Sequence, residues 1–83
     1  IGMKTWKLTH KGHTIEVSNS LFRERLLVDG KLQDERSGLA FRSRLDGRIK
    51  SGDGSGEAIK VSIGGRWSVG CVVFIDDTEV FRS

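Results

Sequence analysis

This chain of 83 residues contains one cysteine, no tyrosine and no long apolar run. The single Cys71 excludes an internal disulfide and is typical of a protein from a reducing compartment. The longest apolar run, Cys71–Ile75, is far shorter than the ~20 residues that span a bilayer, so we expect no membrane anchor. A cytoplasmic location is therefore the default prediction.

The beginning of the chain lacks the charged and apolar regions of a secretory signal peptide. We interpret residues 1–2 as an expression remnant in front of Met3. Residues 3–83 are then expected to form a single domain, because a chain of this length has no room for a second core. Hydrophobic residues make up 36% and charged residues 30%, which is the balance of a globular protein that folds unaided.

Residue patterns that carry catalysis or metal binding are missing as well. Cys71 falls on a predicted core face, where a thiol has neither exposure nor a partner histidine, and no serine lies in a nucleophile-elbow motif. His10 and His13 would face each other across a turn, but a metal ion needs a third ligand. The segment Asp53–Glu57 lacks the spaced acidic ligands of a calcium loop. The sequence predicts no enzymatic activity, no metal and no cofactor.

The sequence does contain a regular alternation of apolar and polar residues. Apolar residues recur at every second position almost throughout, and glycine or Asp-Gly punctuates these runs at regular intervals. No window has the three-and-four apolar spacing, with a cap before it and a stop after it, that a helix requires. We predict an all-β fold, an antiparallel β-sandwich or flattened barrel of about eight short strands in hairpin or meander order.

The parity of the apolar positions predicts hairpin registers as well as strands. Two-residue turns at positions 11–12 and 29–30 bring apolar residues opposite one another: Leu8 with Ile15, Trp6 with Val17, and Leu27 with Leu32. In the second of these hairpins Arg25 would face Asp34 as a cross-strand ion pair.

Three more turns are predicted from the same parity. At Asp46-Gly47 a three-residue bulged turn would place Leu45 opposite Ile49. Turns at 64–66 and 76–77 would align the following pairs: Ile63 with Trp67, Val61 with Val69, Ile59 with Cys71, Ile75 with Thr78, and Val73 with Val80. Residues 51–57 are all glycine, serine or acid, and we expect a flexible loop there.

The last hairpin is apolar on both of its faces. In the predicted register Val72, Phe74 and Phe81 lie on the face opposite the core. Such a hairpin is either central in a two-layer sandwich or carries an exposed patch. The leading hypothesis is therefore a noncatalytic module that binds another protein or self-associates through these three residues.

Basic residues give the alternative hypothesis. The net charge is +3 and the isoelectric point is near 9.4. The candidate polyanion-binding residues are Arg23, Arg25, Arg42, Arg44, Arg48 and Arg66. Single-strand binding would also need exposed aromatic residues for stacking, but tyrosine is absent and Trp6, Phe41 and Trp67 are assigned to the core. A third hypothesis is a small-ligand carrier with its site in the mouth of a barrel.

Three segments carry a resemblance to known proteins: His13–Val17, Leu26–Lys31 and Val73–Asp77. Their order resembles that of one β-domain of the Fas apoptotic inhibitory molecule family, in which an H-x-I-E strand precedes a V-x-V-D-G-K hairpin. The chain also resembles small uncharacterised bacterial all-β proteins with a segment like Val28–Glu35 followed by Gly38–Ala40. The resemblance implies a sandwich without enzymatic activity that works through protein contacts. It transfers no functional residues.

Overall fold

The structure is a computed structural model that describes residues 4–38, 42–65 and 68–83. In chain order the strands are β1 Lys4–His10, β2 His13–Asn19, β3 Arg23–Val28, β4 Lys31–Ser37, β5 Arg42–Arg48, β6 Ala58–Gly64, β7 Gly70–Ile75 and β8 Thr78–Arg82. The first sheet has the order β1-β2-β3-β4 and the second sheet the order β5-β6-β7-β8, with every pair antiparallel. The predicted antiparallel all-β fold is confirmed. Among the described residues there is no helix that is long and apolar enough to cross a membrane.

The first two predicted turns form because their residues tolerate the backbone that a tight hairpin needs. Lys11 and Gly12 have φ values of 49° and 80°, and Asp29 and Gly30 have 52° and 79°. Two successive residues with positive φ are the signature of a type I′ turn, whose twist matches that of the flanking strands. The confirmed pairs are Leu8 with Ile15, Trp6 with Val17, and Leu27 with Leu32.

A β-bulge alters the register further along the β3–β4 hairpin. The pairing shifts between Leu26 and Leu27, so that Arg25 lies opposite Glu35 and not opposite Asp34 as predicted. The expected cross-strand ion pair still forms, but with Glu35. A bulge adds one unpaired residue to one strand, and the alternation of apolar residues carries no signal for it there.

A second bulge corrects the prediction for the β7–β8 hairpin. Ile75 pairs with Thr78 as predicted, but Val73 lies opposite Phe81 and not opposite Val80. The Phe81 side chain packs against the core cluster, and Val80 is left exposed. The prediction that Phe81 faces away from the core is therefore wrong.

The turn predicted at Asp46-Gly47 is absent, because β5 continues through both residues. Leu45 pairs with Val61 of β6 and not with Ile49. Gly47 lies within the strand and does not have a positive φ. The chain reverses only in the following segment, residues 49–57.

The β6–β7 connection is longer than the predicted turn at 64–66, since Gly64 pairs with Gly70. It includes residues 66–67, which lie outside the described residues. The observed pairs are Ile63 with Cys71, Val61 with Val73, and Ile59 with Ile75. These differ from the predicted partners but preserve the parity, so Ile59, Val61, Ile63 and Cys71 still face the core.

The core lies between the two sheets and takes side chains from both. The buried apolar residues are Ile15, Val17, Leu26, Val28, Leu45, Ile49, Ile59, Val61, Ile63, Cys71, Val73 and Ile75. Two buried polar residues, His13 and Glu24, accompany them. Ser43 Oγ of the second sheet donates a hydrogen bond to Glu24 Oε1 of the first, so this buried carboxylate has a partner.

The two sheets are joined along β4 and β5 by side chains that bond to backbone. Gln33 accepts from the Arg48 N–H at 2.7 Å and donates to the Arg48 carbonyl at 2.8 Å. Two further bonds of this type run from the Asp46 N–H to Asp34 Oδ2 at 2.8 Å and from Arg36 Nε to the Arg44 carbonyl at 3.2 Å. These contacts satisfy the outer edge of β5, which would otherwise offer unpaired backbone groups to another chain.

Candidate binding face on the second sheet

Both histidines lie at the end of the sandwich where β1 turns into β2. His10 and His13 pair directly across that turn, as predicted. Their side chains nevertheless bind separate partners: His10 Nε2 contacts Glu57 Oε1 at 3.0 Å, and His13 Nδ1 contacts Asp29 Oδ2 at 2.6 Å. Within residues 4–38, 42–65 and 68–83, no three metal-ligating side chains gather at one point.

His13 is held at both of its ring nitrogens. Nδ1 donates to the Asp29 carboxylate, and Nε2 lies 2.8 Å from the Asp53 carbonyl oxygen. Both partners are acceptors, so the two bonds exist together only when the imidazole carries two protons. The Asp29 hydrogen bond, followed by the Asp53 carbonyl, raises the pKa of His13, and the same contact lowers the pKa of Asp29.

The segment expected to be a flexible loop is anchored instead. Its ends are joined by hydrogen bonds of the Ile49 backbone with Glu57 and Gly56. The Glu57 carboxylate also accepts from Lys11 Nζ at 2.9 Å, which with His10 fixes the segment to the β1–β2 hairpin. Its glycine-rich composition indicated a flexible backbone, but hydrogen bonds with His10 and Lys11 hold the segment against the β1–β2 hairpin.

Cys71 is a core residue, as predicted, with no exposed surface. Desolvation raises the pKa of its thiol to about 11. The thiolate that a nucleophile or metal ligand requires is therefore scarce at neutral pH.

The arginines proposed as one polyanion-binding set are divided between opposite faces of the sandwich. Arg23 and Arg25 lie on the outer face of the first sheet, whereas Arg42 and Arg44 lie on the outer face of the second. Arg48, at the end of β5, donates to the Gly56 carbonyl at 2.7 Å. Arg66 lies outside the described residues.

On the outer face of the first sheet, basic side chains form ion pairs with acidic side chains of the same sheet. Arg25 Nε is 2.6 Å from Glu35 Oε2, and Arg23 Nε is 3.5 Å from the same oxygen. Lys7 and Glu16 form a further cross-strand pair at 3.7 Å. Basic residues on this face already have acidic neighbours within the chain.

The outer face of the second sheet is concave and differently charged. Side chains of two edge strands flank it: Arg42 and Arg44 from β5, and Arg82 from β8. Its floor consists of small or short side chains on the central strands, namely Ser62, Gly64, Gly70 and Val72. The concavity has a volume of about 540 Å³. We call it the arginine channel.

The three arginines of the channel are not equivalent. Arg82 forms a bidentate pair with Glu79, with contacts of 2.7 and 3.2 Å. This contact raises the pKa of Arg82 and lowers that of Glu79. The side chains of Arg42 and Arg44 are exposed and have no ion-pair or hydrogen-bond partner among the residues that the structure describes. They are available to a ligand without breaking an existing contact.

Beyond the channel the same face becomes mixed in character. A second concavity of about 450 Å³ contains Phe74 together with Lys60, Asp46 and Asp77. Lys60 and Asp77 are 3.8 Å apart. Charge on this face therefore changes along the strands, from cationic at the channel to balanced beside Phe74.

Of the three residues predicted as a protein interface, two lie on this face. Val72 and Phe74 alternate with the buried residues of β7 and are themselves half-buried. Phe81 lies on the core side because of the bulge in the β7–β8 pair. The apolar part of the predicted interface is thus smaller than expected, and arginines adjoin it.

Sequence reasoning did not identify Arg82, Glu79 or Ser62 as residues of this face. Arg82 lies on this face because it pairs with Val72 across the β7–β8 hairpin. Val72 pairs in turn with Ser62 on β6, and Ser62 pairs with Arg44 on β5. Strand alternation could have assigned Ser62 to the outer side, but the position of Arg82 depends on the bulge. No periodic signal shows that β5 and β8 flank one surface.

No protein-family model, no curated protein and no solved structure matches the chain. The resemblance to a β-domain of the Fas apoptotic inhibitory molecule family, and to small bacterial all-β proteins, therefore stays a prediction. Any functional conclusion depends on the geometry of the chain itself.

Proposed function

We propose that the protein is a noncatalytic binding module that uses the outer face of the second sheet to bind a partner protein. The observation that carries this proposal is the contrast between the two outer faces. Arg23 and Arg25 on the outer face of the first sheet are paired with Glu35, whereas Arg42 and Arg44 on the second sheet adjoin a concave floor without an internal partner among the described residues.

Val72 and Phe74 support a protein partner because they add apolar area to the charged rim. Protein interfaces commonly combine a small apolar centre with arginine and a polar periphery. Both side chains are half-buried and line the two concavities of this face. A partner that covers them gains hydrophobic contact in addition to ion pairs.

The chemistry of the reactive side chains is consistent with a noncatalytic role. The Cys71 thiol is buried with a pKa of about 11, and His13 is engaged in structural hydrogen bonds. A single buried cysteine without a disulfide also agrees with a cytoplasmic location, which we retain as part of the proposal.

Self-association through this face is less favourable than binding of a different protein. Two copies related by a twofold axis through the arginine channel would bring Arg42 and Arg44 of one chain toward those of the other. Like charges in contact destabilise a complex, whereas opposite charges speed association and select the partner.

Polyanion binding through all six predicted arginines would require a ligand that reaches both faces of the sandwich. The subset Arg42 and Arg44 still allows the nucleic-acid hypothesis on the second sheet. Among the described residues of this face only Phe74 is aromatic, which gives little surface for base stacking.

The proposal is tested by selecting binders from a random peptide library and mapping their contacts on the isotope-labelled chain by amide chemical shifts. We expect the shifts to cluster on β6 and β7, and Phe74→Ser to weaken binding about tenfold, or ~1.4 kcal/mol. The matched control is Leu32→Ser, since Leu32 is an exposed apolar residue of the first sheet, at 53% exposure. Binders that map to the first sheet, or equal losses for the two variants, would refute the proposal.

A further inference from the structure

The arginine channel has the dimensions of a site for one extended chain. Adjacent strands are ~4.8 Å apart, so the edge strands β5 and β8 are separated by about 14 Å across the face. Arginine side chains that extend from both edges narrow this gap. An α-helix with its side chains is ~10–12 Å wide and fits poorly, whereas a single extended strand fits between the two rims.

The floor of the channel permits close approach of a ligand backbone. Gly64 and Gly70 have no side chain, and they pair with each other at the end of the channel. Ser62 contributes a hydroxyl group that can donate to or accept from an extended ligand. The floor is therefore low and carries one hydroxyl group, whereas the rims are high and cationic.

The spacing of the unpaired arginines defines a ligand pattern. Arg42 and Arg44 are two residues apart on one strand, so their side chains project from the same face ~6.8 Å apart. Carboxylates at alternate positions of an extended peptide have the same spacing. Each guanidinium can then meet one carboxylate in a charge-assisted, bidentate contact.

We propose that the arginine channel binds an extended segment of a partner protein in which acidic residues alternate with neutral ones. Arg42 and Arg44 hold two successive carboxylates, and Val72 contacts the neutral side chains between them. This inference rests on the proposed function and specifies its partner chemistry. Arg82 contributes less than the β5 pair, because Glu79 already occupies its guanidinium.

The experiment compares two fluorescent seven-residue peptides, a length equal to that of β5. One alternates Glu with Thr and the other alternates Gln with Thr. Fluorescence anisotropy with the full chain at low salt should show the Glu peptide binding at least about tenfold more tightly than the Gln peptide, and its affinity should fall as salt rises.

Double variants of the two arginine pairs show which face of the sandwich binds the peptide. Arg42→Ala with Arg44→Ala should weaken binding of the Glu peptide about tenfold or more. Arg23→Ala with Arg25→Ala removes the same charge from the opposite face and should leave most of the affinity. Glu79→Gln should strengthen binding, because it removes a negative charge from the rim and releases Arg82. Thermal unfolding of each variant shows that the fold is retained.

Each remaining outcome overturns a specific claim. Equal binding of the two peptides at the channel would refute the acidic segment and leave the protein-binding function in place. Equal losses for the two double variants, or no binding of the Glu peptide while library peptides still map to β6 and β7, would do the same. If a single-stranded oligonucleotide binds more tightly than the Glu peptide and loses affinity on loss of Arg42 and Arg44, the ligand is nucleic acid and both proposals fail.

Discussion

Gly47 shows how one residue can depend on a contact that is remote in sequence. It lies on the inner side of β5, where β4 and β5 join the two sheets. A Cβ atom at this position would be 2.5 Å from Gln33 Oε1 and 2.8 Å from Leu26 Cδ2. Close packing against these two side chains, and not a turn, favours glycine here, although Asp-Gly is a favoured turn sequence.

Gly47→Ala is expected to destabilise the fold by about 1–3 kcal/mol, because the added methyl group displaces Gln33 from its bonds to Arg48 and crowds Leu26. Urea unfolding measures the change. The control is Gly70→Ala, where the nearest atom would be 3.5 Å away, an ordinary contact. A Gly47→Ala protein as stable as the original would contradict the close packing, since alanine otherwise stabilises an extended strand.

The element that best illustrates proton-linked structure is the loop of residues 49–57. Its Asp53 carbonyl binds His13, and its Glu57 carboxylate binds His10 and Lys11. The charged groups that act on His13 are Asp29 on the β3–β4 turn and Asp53 on the loop. The loop is thus fastened to the first sheet through three side chains of the β1–β2 hairpin.

His13 should make the stability of the fold depend on pH. Its pKa in the folded chain is raised above the ordinary 6.5, so its contribution is fully present below about pH 6.5 and is lost as the pH rises through the raised value. The lowered pKa of Asp29 affects the stability of the fold at acidic pH. The stabilising contribution of Asp29 is present above about pH 3.8 and is lost as the pH falls through the lowered value.

We expect the free energy of unfolding to decrease as the pH rises above about 6.5 in the unsubstituted chain and to change less in His13→Gln. Urea unfolding across the pH range, with a titration of the His13 ring protons by NMR, measures both effects. His10→Gln is the control, since His10 lies across the same turn but has one side-chain partner, Glu57. A His13 pKa at or below 6.5 would refute the proton-dependent loop contact.

At the scale of the whole molecule, we expect the two sheets to unfold as one cooperative unit, because they share one core. Buried side chains from the two sheets constitute a single cluster. The β4–β5 hydrogen bonds and the Ser43–Glu24 contact add polar connections between the sheets.

Ile59→Ala should therefore lower the free energy of unfolding of both sheets by the same amount, about 2–5 kcal/mol, although Ile59 belongs to the second sheet. Native-state hydrogen exchange at the amides of Val17 and Val61 reports the two sheets separately. The adjacent exposed substitution Lys60→Ala is the control and should change both by less than about 0.5 kcal/mol. A loss confined to Val61 would show that the sheets unfold independently.

Much of this fold follows from local physics that the sequence contains directly. Strict alternation defined the all-β class and the core faces of β2, β6 and β7, because side chains on a strand point to opposite sides in turn. The positive-φ turns at 11–12, 29–30 and 76–77 were equally predictable, because they depend on residues within the turn. The position of Cys71 in the core follows from the same alternation.

Tertiary structure decided the features that depend on residues distant in the chain. Gln33 satisfies the edge of β5 and lets the strand continue through Asp46-Gly47, against the local turn preference. The bulge in the β7–β8 pair turned Phe81 inward, which parity alone cannot predict. The arginine channel exists only because the second sheet brings Arg44 and Arg82 to opposite rims of one floor. Local sequence determines which way each side chain points, whereas the packing of whole strands determines which side chains meet.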